Sequence, residues 1–263
     1  MEWEATARLS VFLGGFILLA LAEAARPKRP RALSRTSRWW SNLALVVLDT
    51  ALVRVLFPLA AVGAALDASI QGWGLFNWLV WPVWVTVILS FVILDFAIWL
   101  QHVIFHKVPL LWRFHMVHHA DRDMDVTTGL RFHPVEIAAS MLIKIALVYA
   151  LGAPALGVIL FEIILNGAAM WSHSNLRVPA AIERPIRWFI VTPDMHRSHH
   201  SVERHEHDTN FGFCLSIWDH LSGLYTHTPA KGHQGVEIGL PLWRDGRSAR
   251  LLWSLALPFR RGS

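Results

Sequence analysis

Eight histidines of this 263-residue chain fall into three groups: His102-x3-His106, His115-x2-His118-His119 and His196-x2-His199-His200. Residues three and four apart share a helix face. Each HxxHH triplet can therefore aim three imidazoles at one point, and the HxxxH pair aims two. Imidazole suits zinc, copper, iron or nickel, whereas calcium and magnesium want oxygen. One tetrahedral zinc takes about four ligands, so eight imidazoles are too many for it and two metal ions fit better. The single cysteine, Cys214, excludes an internal disulfide and argues against a thiolate site.

The elements that must carry these rings are apolar. The chain is 54% hydrophobic and 16% charged, with 14 tryptophans, far from an average soluble domain. Runs of roughly 20 apolar residues span a bilayer as helices, and five candidates present themselves: Leu9–Ala25, Asn42–Leu66, Trp78–Leu100, Val135–Leu151 and Pro154–Trp171. Asp49 and Arg54 interrupt the second and Lys144 lies in the fourth. Gly152 and Ala153 join the last two into a tight hairpin. The fold class expected is all-α integral membrane, with four to five transmembrane helices and a cytoplasmic histidine-rich helical cap. Three regions follow: a membrane part over 1–90, a metal domain over 91–230 and a C-terminal tail over 231–263.

Orientation follows the basic residues near the span ends. Arg26, Lys28, Arg29, Arg31, Arg35 and Arg38 mark the first loop as cytoplasmic, and the next loop, Asp67–Asn77, holds no Lys or Arg. The acidic start (Glu2, Glu4) and the basic run after it argue that the first span is retained rather than cleaved as a signal peptide. With the N-terminus outside, every clustered histidine reaches the cytoplasmic side. The pI near 10 then reflects topology. The basic residues form no stripe interleaved with exposed aromatics, so no nucleic acid partner is expected.

Other residues join the histidine groups. Asp95, seven residues before His102, is read as an acceptor for a ring N–H, since a buried acid in a membrane helix is costly and usually functional. His173 closes the fifth span on the face of Glu162 and Asn166 and is read as a ninth ligand. His133 precedes Pro134 at a helix start and is read as a ligand or a supporting group. His205, His207, His220, His227 and His233 lack partners at ligand spacing and are read as solvated or structural.

These boxes resemble the fatty acid hydroxylase/sterol desaturase superfamily of integral membrane di-iron enzymes. The resemblance includes Asp95 and Trp99 ahead of the first box, Arg131-Phe132-His133-Pro134-Val135-Glu136, His173-Ser174-Asn175 and Thr192-Pro193-Asp194-Met195-His196. It continues through Asp208-Thr209-Asn210-Phe211-Gly212 to Trp218-Asp219-His220-Leu221-Ser222-Gly223, covering roughly 92–227. Asn210 and Asp219 enter as supporting residues on this resemblance. Ser222 departs from the bulkier aromatic common there, and His205 and His207 lie outside the pattern.

The resemblance implies two iron ions, O2 as oxidant, and a lipid C–H bond (sterol, fatty acyl or related) that is hydroxylated or desaturated. It implies electrons from an external donor: a ferredoxin, a cytochrome b5-like protein or a reductase. The chain itself carries no GxGxxG for a nucleotide and no CxxCH for haem. A bacterial inner membrane is expected over endoplasmic reticulum. The chief alternative is a zinc-dependent membrane hydrolase. It would need a carboxylate base beside the metal, for which Glu162 and Glu203 are the candidates in the absence of HExxH. A metal store or transporter would need ionisable groups strung across the bilayer. Leu251–Leu257, flanked by arginines, reads as an interfacial helix or as a lid on the histidine helices.

Overall fold

The computed structural model describes residues 2–79 and 81–260, and among them every regular element is helical. The long helices are α1 (Glu2–Ala25), α2 (Arg35–Leu56), α3 (Ala60–Gln71), the short α4 (Leu75–Leu79), α5 (Val83–Lys107), α6 (Pro109–His119), α7 (Pro134–Leu151) and α8 (Ala155–His173). Six short helices follow: α9 (Ala180–Ile186), α10 (Pro193–His199), α11 (Arg204–His207), α12 (Ile217–Ser222), α13 (Gly232–Gly235) and α14 (Leu251–Ala256). Five stretches are long and apolar enough to cross a membrane: 6–25, 35–79, 83–107, 134–151 and 155–173.

The second of these corrects an expectation. The predicted span Asn42–Leu66 is not one helix, because Pro58 lacks an N–H and biases Phe57 away from helical geometry. Phe57 turns to φ −130° and ψ 71°, and the chain restarts at Ala60 with φ +49°. The result is α2, followed by α3 packed on the α7–α8 hairpin through Ala61, Ala64 and Ala65 against Val148, Val158 and Ile159. Small side chains let these backbones approach closely, as helices in lipid require. The approach is closest at Gly74 (φ +94°), where a Cβ would lie 2.0 Å from the Gly152 nitrogen. This contact ties the α3–α4 turn to the hairpin tip, at the end of the bundle away from the histidines.

The outer faces are apolar. Leu18 and Leu21 of α1, Val55 of α2, Ile70 of α3 and Trp84 of α5 stand exposed, as lipid-facing residues would. At the histidine end the interior is polar instead. Arg38, 1% exposed, grips Asp121 with two parallel bonds of 2.7 Å and Asp125 with one of 2.5 Å. Nearby, Arg131 donates to Val117 O at 2.8 Å, Asn42 Oδ1 at 2.7 Å and Ser254 Oγ at 2.6 Å. Glu23 accepts the backbone N–H groups of Val126 and Asn175. These bonds fasten α1, α2, the loop after α6 and α14 into one block. The C-terminal segment is thereby resolved as a lid: Trp253 and Leu257 pack on Met116, Val117 and Ala120 of α6.

Removing Arg38 would leave two buried carboxylates without the cation that pairs with them. Arg38→Met should cost about 3–5 kcal/mol, read as a lowered thermal unfolding midpoint in detergent. Arg38→Lys, which lacks the planar fork, should recover only part of it.

Candidate metal centre

Proline starts three of the helices that frame the site: Pro109 for α6, Pro134 for α7 and Pro193 for α10. Its fixed φ suits a first helical turn, where its missing N–H costs nothing. Thr192 caps α10 by accepting Met195 N–H. Helices α5, α6, α8 and α10 then bring nine imidazoles together. Every ring is buried, none more than 3% exposed.

The rings form two groups: His102, His106, His115, His119 and His199, and beside them His118, His173, His196 and His200. Within each, the potential ligand atoms lie within 4.8 Å of one another. The groups abut, with His119 and His200 stacked at 4.5 Å between ring centroids.

The hydrogen bonds determine which nitrogen faces inward. His102 Nδ1 donates to Phe211 O at 2.7 Å and His118 Nδ1 to Arg131 O at 3.1 Å. His173 Nδ1 donates to Ala169 O at 2.7 Å and His199 Nδ1 to Thr209 O at 2.8 Å. His115 Nδ1 donates to Glu136 Oε1 at 2.7 Å. A carbonyl can only accept, as can an ionised carboxylate, so with Glu136 ionised the proton of each of these neutral rings sits on Nδ1 and Nε2 is bare. Yet His102 Nε2 lies 3.0 Å from His115 Nε2, and His118 Nε2 lies 3.0 Å from His173 Nε2. Two bare lone pairs at that distance repel unless positive charge lies between them. His199 Nε2 and both nitrogens of His200 are likewise buried without a partner. The donor set fits two transition-metal ions.

Burial keeps the rings neutral, as metal ligation requires. Desolvation first, and neighbouring imidazoles second, push His118, His119, His196 and His200 well below the ordinary value. His115 is pushed down to about 3 by burial.

Three expectations are corrected or refined. His133 is not among the converging rings. Its Nδ1 accepts Val135 N–H at the start of α7, its Nε2 donates to Leu255 O, and it belongs to the lid contact. Asp95 accepts no ring N–H. Its Oδ2 receives Leu215 N–H and Trp218 Nε1–H, so it holds the segment leading into α12. Asp219 holds the neighbouring segment, accepting Trp99 Nε1–H, Phe211 N–H and Gly212 N–H at 2.9 Å each. It therefore acts on His102 through Phe211. Asn210, in left-handed geometry at φ +54°, donates to Met195 O and Thr226 O. It touches no imidazole.

Glu136 and Asp208, which the sequence offers only as members of the family motifs with no role of their own, are the acids that face ring nitrogens. Asp208 Oδ1 lies 3.4 Å from His106 Nδ1, and His207, read as solvated or structural, is buried there and stacked on Trp112. Besides that motif, the signal for Glu136 is an acid in the first turn of a mostly apolar helix. The carboxylates considered for a hydrolase lie elsewhere. Glu162 is paired with Lys144 at 2.8 Å and with Arg8, eleven residues or about 16 Å of helix from His173. Glu203 lies at the start of α11, away from the rings.

Apolar spans that end in a buried imidazole cage define an integral membrane metalloenzyme. The fatty acid hydroxylase family pattern matches residues 87–224, and the chain belongs to that family. It is similar to ornithine lipid hydroxylase OlsE of Rhizobium tropici, 29% identical over 262 residues that cover 95% of this chain and 75% of that protein. Human alkylglycerol monooxygenase is 28% identical over 156 residues, 59% of this chain and 34% of that protein. For human cholesterol 25-hydroxylase the figures are 27% over 135 residues, 49% and 46%. The chain thus spans about a third of the one and under half of the other. No solved structure matches it. Membership makes the protein a membrane lipid hydroxylase of the monooxygenase type, and nothing among these relatives supports a zinc hydrolase.

Glu136→Gln removes the carboxylate that orients His115, so metal affinity should fall about 10- to 100-fold in competition with a chelator. The metal-free protein should lose stability as pH falls from about 6.5, the ordinary histidine value, towards about 3. In that window the unfolded chain binds more protons than the fold. Thermal midpoints recorded across the range check it, and a flat profile would contradict neutral buried rings.

Proposed function

We propose that His102, His106, His115, His119 and His199 hold one iron ion and that His118, His173, His196 and His200 hold a second. The facing bare Nε2 atoms carry this reading. Iron bound there supplies the O2 activation that an unactivated C–H bond demands. The chain's own residues fix the rings through Phe211, Arg131, Thr209 and Ala169 carbonyls, Glu136 raises the basicity of His115, and Asp208 Oδ1 lies 3.4 Å from His106 Nδ1. Burial of all nine rings excludes water that would divert the oxidant.

The substrate proposed is a membrane lipid that enters from the bilayer without crossing water, since the cage lies at the ends of α5 and α8. The similarity to an ornithine lipid hydroxylase along 95% of the chain favours a lipid with a polar headgroup over a sterol, and hydroxylation over desaturation. With no nucleotide fingerprint in the chain, electrons come from a separate donor, a ferredoxin, a cytochrome b5-like protein or a reductase. The basic Arg26–Arg38 segment lies at the histidine end, so the cage is assigned to the cytoplasmic face of a bacterial inner membrane.

Protein purified without added metal should contain about two irons per chain, and 18O2 should label the lipid product. His118→Ala and His199→Ala should abolish labelling and lower iron content while the protein stays membrane-embedded. Zinc in place of iron, or turnover without O2, would sink the reading.

A further inference from the structure

Beside the cage, at the same end of the bundle, lies a small cavity lined by Arg29, Arg31, Arg122, Asp123, Asn175 and Arg197. Four guanidinium groups line it with a single carboxylate, Asp123, and of the four Arg31 also lies 3.9 Å from Glu23. Asp123 spends its carboxylate on Ala32 N–H and Leu33 N–H. Asp194, the acid nearest Arg197, is taken by Arg197 Nη1 and by Lys28 Nζ. Arg29 Nη1, Arg122 Nε, and Nε and Nη2 of the fully buried Arg197 are left without an acceptor. An orphaned buried guanidinium is costly, and burial together with the Arg197 charge pushes Arg29 below its ordinary value. Guanidinium donors arranged this way match the oxygens of a carboxylate or phosphate.

The position points to where such an anion comes from. Arg29 follows the end of α1 by four residues and Asn175 follows the end of α8 by two. Both helices are candidate spans, so the cavity sits at headgroup depth. Arg197 lies on α10 between His196 and His199, which places an anchored headgroup beside the cage.

We propose that these arginines form an oxyanion site that takes an oxygen of the acidic headgroup of a lipid, a carboxylate or a phosphate, into the cavity, whose volume of about 20 Å³ leaves the rest of the headgroup outside. The proposal rests on the lipid-hydroxylase reading and adds to it the means by which the substrate is held in register with the metals.

The test uses full-length, iron-loaded protein in detergent, titrated with dihexanoyl phosphatidate, N-octanoylglycine, neutral dihexanoylglycerol and inorganic phosphate. Binding is followed by the shift in thermal midpoint. The acylated anions should bind and the neutral lipid should not. Arg29→Gln combined with Arg122→Gln should weaken anion binding about tenfold or more, with iron content unchanged. Arg197→Lys, which keeps the buried charge, serves as a second variant and should weaken it less than the double change.

Equal binding of the neutral lipid, or unchanged affinity in the double variant, overturns the proposal. Phosphate binding as tightly as phosphatidate overturns the headgroup assignment and leaves a free-anion site. If the double variant instead loses only salt-sensitive binding of a reduced ferredoxin, the cavity belongs to a protein partner and the proposal fails. Iron content and 18O incorporation in the same preparations separate these outcomes from failure of the oxygenase reading, which would remove iron or label from the wild type itself.

Discussion

The structure is organised around a repulsion. Neutral imidazoles protonated on Nδ1 turn their bare Nε2 atoms on one another at 3.0 Å, an arrangement the fold alone cannot find favourable. Cationic charge at the meeting points would turn the repulsion into ligation. The rest of the histidine end serves to hold the rings there against their mutual aversion: carbonyls fix the Nδ1 side, burial keeps the rings uncharged, and three prolines start the helices in register.

Rigidity on the outside makes this possible. The Arg38–Asp121–Asp125 block and the Arg131 fan join α2, α6 and α14 through buried polar contacts, and Glu23 ties in α1. At the other end of the bundle, alanine and glycine contacts let α3 lie directly on the α7–α8 hairpin. The bundle is thus polar-locked where it meets the cage and close-packed by small residues where it does not. Lipid supplies no hydrophobic drive between helices, so both devices are needed.

The spacing of HxxxH and HxxHH made the convergence of the rings readable, because helix periodicity places them on one side, but not their division: each HxxHH triplet is split between the two groups instead of aiming at one point. His173 was readable from its place at a span end. Partners contributed by backbone were not readable. His102 answers to Phe211 O, and no residue type advertises a carbonyl. Asp95 illustrates the error: its helical register with His102 suggested a ring contact, but its carboxylate turns to Leu215 and Trp218 from a distant segment. His133 failed for a related reason, since a histidine before proline is as apt to cap the helix as to bind metal. The break at Pro58 was legible in principle, but the apolar run through it hid the interruption.

The dominance of main-chain acceptors has an evolutionary consequence. Four rings are oriented by carbonyl oxygens that every amino acid carries, so residues at those positions can drift without unseating the ligands. Glu136 and Ser172 are the described residues whose side chains hydrogen-bond a ring of the cage, at His115 and His173. A chain could therefore change at those positions and still orient the same rings, while the walls around them diversify.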